Sequence, residues 1–335
     1  MTVAPPRRIA VLRAGALGDF LVTLPALAWL RRRFPQAQIT VYGNRAALEL
    51  VAGRGVVDAG YSFDLAVPPE FFMPLQVPTG PWVAEWRDYE LCIVWLRDYA
   101  TVADNLRRLT GGTVLAASPL PESGPRIHVT DHCLATLAPL GLQLDRLARS
   151  ERQPEIRLLE TEIEAARTWL HRHWGAVLRD ADMLIAVHAG SGGRWKCWPA
   201  ERYAELCRRL RREHGAALLL IEGPADAQPV GEVLAHLRAQ SPLLPVIHVA
   251  GLTLQQLAGV LACCDAYVGN DSGVTHLSAA LGIPVVAIFG PTDPAIWAPR
   301  GVRASVLWKG QDLRSVTVEE VLEAVTSWVR NEAER

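Results

Sequence analysis

The stretch Asp265 to Pro294, DAYVGNDSGVTHLSAALGIPVVAIFGPTDP, constrains the fold more than any other. Ala266 to Val268 is a short apolar run with a β-branched member, the size of a buried strand end. Gly269 to Gly273, Gly-Asn-Asp-Ser-Gly, reads as a tight polar turn kept out of the core. From Val274 the run Val-Thr-His-Leu-Ser-Ala-Ala-Leu predicts a helix, stopped by Gly282 and by Pro284 two residues later. Strand, glycine-bearing turn and helix is how a backbone presents free N–H groups and a positive dipole end to an anion. Ser272 and Gly273 stand where those amides point, His276 lies in the first helical turn, and Asp271 is placed to cap the helix. A diphosphate fits such a turn. The next strand, Pro284 to Phe289, ends in a second polar turn, Gly290 to Pro294. Two such turns after successive strands lie at one edge of a parallel sheet, where open α/β folds bind ligands.

The same syntax runs through the chain. Arg7 to Arg13 reads as a buried-type strand, the turn Ala14 to Gly18 follows, and a helix is expected from about Asp19 to Arg33, kinked at Pro25. Strands are expected at 38–42, 91–95 and 113–116, with helices at 100–109 and 130–140. Between Val67 and Trp82 five prolines interrupt the rhythm; Phe71, Phe72 and Met73 there either pack back on the domain or meet an acceptor or a membrane. Residues 145–154 are charged and lack an apolar period, which places a boundary between domains 1–154 and 155–335. The second half alternates strand and helix at 183–188, 199–212, 217–221, 226–239, 246–249 and 253–263 before the opening stretch. A strand at 305–308 and a helix at about 317–330 close it, that helix free to return to the first domain. The expected fold class is α/β, two Rossmann-like doubly wound domains facing a cleft.

Composition excludes several functions. With 50% hydrophobic and 21% charged residues a packed core is available, and a net charge of −1 gives no nucleic-acid footprint. No apolar run reaches spanning length and no leader is visible, so a cytoplasmic protein is expected. The six cysteines show no CxxC pair, and neither they nor the histidines have metal-ligand spacing, so no metal and no cofactor are expected. Of the 34 basic residues only Lys196 and Lys309 are lysines.

Three further turns carry chemistry. Gly15-Ala-Leu-Gly18-Asp19 is neither GxGxxG nor GxxxxGK. Asp19 there is either a helix N-cap or a carboxylate placed to take a proton from an acceptor hydroxyl. His188 to Pro199, HAGSGGRWKCWP, repeats the strand, small-residue turn and helix start; Ser191 lies within it and Lys196 between two tryptophans. An ammonium there neutralises a phosphate as a point charge, unless Lys196 is an ordinary surface lysine. His188, at a strand end, reads as a packed or turn-bonding histidine. Glu222, after strand 217–221, either accepts ribose hydroxyls or is a loop acid preceding a helix.

Together, residues 13–27 (RAGALGDFLVTLPAL), 195–199 (WKCWP), 270–282 (NDSGVTHLSAALG) and 290–294 (GPTDP) resemble glycosyltransferase family 9, the ADP-heptose:lipopolysaccharide heptosyltransferases. The resemblance covers essentially the whole chain. It implies a GT-B fold with a nucleotide-sugar donor, an ADP-sugar, on the C-terminal domain and a glycan or glycolipid acceptor on the N-terminal one. It also implies an inverting, metal-independent reaction by a monomer, with room for peripheral contact at the inner face of the inner membrane. By motif position Asp19 is the general base, Lys196 the diphosphate ligand, and Asp271, Ser272, Gly273 and His276 the phosphate turn; Ser191 beside Lys196 and Glu222 after its strand are candidates for the phosphate and the ribose from their own positions. A different sugar or acceptor on the same fold, and a non-catalytic nucleotide-sugar binder in which Asp19 is only a cap, are the alternatives.

Overall fold

A computed structural model of the chain describes residues 5–74, 79–121, 126–179 and 181–333. It divides into two compact units, Met1–Pro154 and Glu155–Arg335.

The first unit is built on a five-stranded sheet of β1 (Arg8–Leu12), β2 (Gln38–Gly43), β3 (Ala59–Ser62), β4 (Leu91–Trp95) and β5 (Thr113–Ala117). All pairings are parallel and the order is β3-β2-β1-β4-β5. The central runs IAVL, ITVY and LCIVW are apolar on both faces because helices cover both sides, the condition of a parallel sheet. The expected helix 19–33 is instead two helices, Leu17–Leu21 and Leu24–Arg33. Pro25 lies in the first turn of the second, where its missing N–H costs no intrahelical bond, so it opens a helix rather than kinking one. Likewise the expected helix 130–140 ends as Val129–Ala135, and a 3₁₀ turn, Ala138–Leu140, carries Pro139.

In the proline-rich stretch, Pro69–Phe72 forms a 3₁₀ turn and Phe71 is buried edge-on against Trp86, ring centroids 4.8 Å apart. Asn105 clamps this turn by donating to the carbonyls of Phe71 and Met73 at 2.9 and 2.8 Å. Phe72 and Met73 are exposed; residues 75–78 lie outside the described residues.

The second unit carries a six-stranded parallel sheet of β6 (Leu184–His188), β7 (Ala217–Glu222), β8 (Val246–Ala250), β9 (Ala266–Asn270), β10 (Val285–Phe289) and β11 (Ala304–Trp308). Its order is β11-β10-β9-β6-β7-β8. The last helix, Val318–Ala333, buries Val321, Leu322 and Val325 in this unit's own core, beside Leu206 and Leu210 of helix Ala200–His214. The apolar stripe is used where the strand before it ends, and Trp328 Nε1 donates to Ser305 Oγ of β11 at 3.0 Å. Among the described residues no helix is long and apolar enough to cross a membrane.

Each sheet reverses its winding once, between β1 and β4 in the first unit and between β6 and β9 in the second. At such a reversal the loops leaving the two strands part to opposite faces and open a crevice at the carboxyl edge.

Candidate functional site

In the second unit the turns after β6 and β9 meet at the reversal point. Asn270 joins them. Its Oδ1 accepts from the backbone N–H of Trp198 at 2.9 Å and from Tyr203 OH at 3.0 Å; its Nδ2 donates to the carbonyls of Ala189 and Gly190 at 2.9 and 3.1 Å. A fully buried amide needs all of these partners, and here it has them. Gly269 and Asn270 are therefore the buried end of β9, which corrects the reading of 269–273 as a turn outside the core. An amide with four partners waiting is as buriable as an apolar side chain.

Beyond Asn270 the chain leaves the sheet. Asp271 does not cap the following helix: Ser272 does, its Oγ accepting from Thr275 N at 3.3 Å at the start of Gly273–Ala280. The Asp271 carboxylate turns to the neighbouring turns, taking Lys196 Nζ and Thr292 Oγ1 on Oδ2, each at 2.8 Å. Ser191 Oγ donates to the Asp271 carbonyl at 2.6 Å. Lys196 ends the 3₁₀ turn Arg194–Lys196, which a two-pronged Arg194–Glu232 pair at 2.8 and 3.0 Å fixes to helix Ala227–Gln240. Its ammonium also lies 5.2 Å from the ring centre of exposed Trp195, and its side chain is 22% exposed. So Ser191, Lys196, Asp271, Ser272 and Gly273 come together. His276 is buried on the first turn of the same helix.

Beneath this turn His188 Nε2 lies 2.9 Å from Asp226 Oδ2, and His188 Nδ1 lies 3.3 Å from Ser272 Oγ. Burial works to raise the Asp226 carboxyl, but the hydrogen bond and charge of His188 and the Gly223 N–H outweigh it and hold it below the ordinary range. Gly190 makes this contact possible, since a Cβ there would stand 1.9 Å from Asp226 Oδ1. Glu222 ends β7, one strand from the reversal, and its carboxylate is engaged by His248 Nε2 at 2.8 Å. A cavity of about 400 Å³ on the flank of the β6 turn, lined by Arg194, Trp195, Trp198, Glu232 and Asp312 among others, includes none of Ser191, Lys196, Asp271, Ser272 and Gly273.

In the first unit Asp19 follows β1 at that sheet's reversal point. It is not an N-cap: the helix begins at Leu17 with Ala16 as cap, and Asp19 Oδ2 reaches back to accept from Ala16 N at 3.0 Å. Arg13, buried at the end of β1, donates Nε to the Asp19 carbonyl at 2.9 Å and places Nη2 3.5 Å from Oδ1. Gly15 has φ +127°, and a Cβ there would stand 2.8 Å from Asp19 Oδ2. The carboxylate keeps 31% of its surface exposed, so it is held but accessible.

The sequence reading missed Asn270, Thr292, Arg13 and Asp226. The signal for Thr292 was its place in the second polar turn; for Arg13, an arginine closing a strand of buried type. Among the described residues no group of three His, Cys, Asp or Glu is placed to hold a metal ion.

Comparison with known proteins places these features in context. The family model for glycosyltransferase family 9 (heptosyltransferase) matches residues 128–324, more than half of the chain. Lipopolysaccharide heptosyltransferase 2 of Salmonella typhimurium is 37% identical over 116 residues, 34% of this chain and 33% of its own length, so that match spans about a third of the relative. Lipopolysaccharide heptosyltransferase 1 of Pseudomonas aeruginosa is 26% identical over 319 residues, covering 88% of this chain and 81% of its own. The solved structure of the E. coli ADP-heptose LPS heptosyltransferase II superposes with a TM-score of 0.77 at 21% identity, over 97% of this chain and 99% of that one. The fold is thereby GT-B.

Proposed function

The chain belongs to glycosyltransferase family 9, and on that premise we propose that it is an inverting, metal-independent heptosyltransferase. Its donor in this reading is ADP-heptose, and its acceptor a hydroxyl of a lipopolysaccharide core or related glycan. The observation that carries the reading is the cluster of Lys196, Ser191, Asp271 and Ser272 at the reversal point of the second sheet, against the first turn of Gly273–Ala280. The relatives' names supply the sugar and the nucleotide.

In the displacement, the acceptor oxygen attacks the anomeric carbon as the bond to the diphosphate oxygen breaks, and the configuration inverts because one step replaces one face by the other. Negative charge grows on the diphosphate. Lys196 and the N–H groups at the start of Gly273–Ala280 meet it, a fixed positive potential that needs no rearrangement in the transition state. Asp271 holds the ammonium in place until the anion shares it. The acceptor's proton goes to Asp19, whose Oδ2 is steadied by Ala16 N–H and whose Oδ1 faces Arg13.

Calorimetric titration with ADP in the presence of EDTA tests the donor half. Wild type should bind. Lys196→Ala should bind about ten- to a hundredfold more weakly, the worth of a charge-assisted hydrogen bond of roughly 1.5–3 kcal/mol. Lys196→Arg should recover only part of this, since the fork is larger and differently shaped. Binding that requires added magnesium, or equal affinity in wild type and Lys196→Ala, would contradict the assignment.

A further inference from the structure

Glu222 closes β7, and its carboxylate is met by His248 from the edge strand β8. The sheet register explains the meeting. Leu220 pairs with His248 and Glu222 with Ala250, so alternation along the two strands puts Glu222 and His248 on one face, one step apart on the diagonal. A carboxylate oxygen accepts, so His248 Nε2 donates to Glu222 Oε2 across 2.8 Å. The main chain beyond Glu222 is held as well, Gly223 N donating to Asp226 Oδ2 at 3.0 Å. Glu222 is thus fixed from two sides, its backbone through Asp226 and its side chain through His248. Both members of the pair still keep surface open, 22% for the Glu222 side chain and 38% for that of His248. Among the described residues no hydrogen-bond partner meets the other carboxylate oxygen, Oε1.

The place of this pair in the sheet says what it serves. Continuing the β6–β7 register, in which Val187 pairs with Leu220, sets Glu222 level with Ala189, where the turn leading to Ser191 and Lys196 begins. Parallel strands stand about 4.8 Å apart. The base of the Glu222 side chain is therefore about one strand spacing from the anion turn, the order of distance that C5′ spans between a nucleotide's α-phosphate and its ribose hydroxyls.

We propose that His248 is a positioning residue for the donor's ribose: it holds one oxygen of Glu222 so that the other accepts from a ribose hydroxyl of a nucleotide whose diphosphate lies at the anion turn. This rests on the proposed donor site. A free glutamate side chain has several rotatable bonds, and freezing them on binding costs affinity; a donor on Oε2 removes much of that freedom beforehand. The vicinal hydroxyls of ribose offer two hydrogens side by side, which an oriented carboxylate takes and a dideoxy sugar does not supply. The pair thereby selects ribonucleotides, with His248 acting through Glu222.

Calorimetric titration of the full chain with ADP and with 2′,3′-dideoxy-ADP reads the contact. Wild type should favour ADP by about ten- to a hundredfold, the worth of hydrogen bonds to a charged acceptor. Glu222→Ala should erase that preference. His248→Ala should lower ADP affinity by about two- to tenfold, the cost of ordering one freed side chain, and leave dideoxy-ADP binding unchanged. His248→Gln, whose amide nitrogen can stand where Nε2 stands, should recover the loss. Added to Glu222→Ala, His248→Ala should change nothing further. Equal wild-type affinity for the two nucleotides would overturn the proposal. So would an undiminished preference in His248→Ala, or a loss shared equally by both nucleotides, which is what a pair that only joins β7 to β8 would give. Should the alanine variant fail to fold, His248→Asn, too short to reach Glu222, takes its place with the same expected loss. ADP binding that Lys196→Ala weakens but that shows no ribose preference would sink this proposal and leave the donor site standing. No ADP binding at all would sink both.

Discussion

At the scale of single residues the two units solve one problem in different ways: each must hold a charged group at a strand end without burying it beyond reach. Lys196 is held by its opposite charge, Asp271, and by a 3₁₀ turn anchored through Arg194. Asp19 is held by backbone, with Ala16 N–H on one oxygen and buried Arg13 near the other. Gly15 is the residue on which that second arrangement depends, since a side chain there meets both a backbone conformation hostile to L residues and the Asp19 carboxylate itself. Gly15→Ala should therefore displace Asp19. We expect a fall in kcat of about tenfold or more with ADP affinity unchanged, because every proposed donor contact lies in the other unit. Steady-state kinetics beside ADP titration checks this; an unchanged kcat would show that the position of Asp19 does not matter.

At the scale of elements the anion turn is two loops held by one side chain. Asn270 ties the loop after β6 to the end of β9 through four hydrogen bonds, in a place where water cannot substitute. Asn270→Ala should cost about 2–4 kcal/mol in urea unfolding, a few net hydrogen bonds plus the desolvated partners left behind. It should also weaken ADP binding, since Ala189 and Gly190 lose their anchor. A loss below about 0.5 kcal/mol would mean the loops hold their places without it. Much of this level was legible in advance. Buried runs such as IAVL and VVAIF could only be central strands, and the glycine-rich turns after them could only be loops. What could not be read was which turns meet. β6 and β9 are hydrogen-bonded neighbours although two other strands and three helices separate them in the chain, and no local pattern encodes that pairing. Asp271 illustrates the consequence. Its place before a helix suggested a cap, and only the proximity of Lys196 and Thr292 shows why Ser272 caps instead. The form of Asp19 was hidden for a smaller reason: the helix starts two residues early, which moves the acid from cap to first turn.

At the scale of the whole molecule the proposed labour is divided by unit. Ser191, Lys196, Glu222, Asp271, Ser272, Gly273 and His276 all belong to Glu155–Arg335, and Asp19 to Met1–Pro154. The second unit carries its own sheet and its own core, closed by the last helix. Residues 155–335 expressed alone should fold and bind ADP within a few fold of the full chain, yet transfer nothing. A fragment that folds but does not bind would move part of the donor site into the first unit. The central claim is that the full chain transfers a sugar with Asp19 as base, and ADP release measures it most directly. The full chain would be given ADP-heptose and a panel of lipopolysaccharide-core acceptors in EDTA, beside Asp19→Asn. Asparagine still accepts from Ala16 N–H, so fold and ADP affinity should stay near wild type. Wild type should release ADP only with an acceptor present, and Asp19→Asn should do so about 10²–10⁴ times more slowly. Equal rates for wild type and Asp19→Asn, or no acceptor-dependent release by either, would contradict the account.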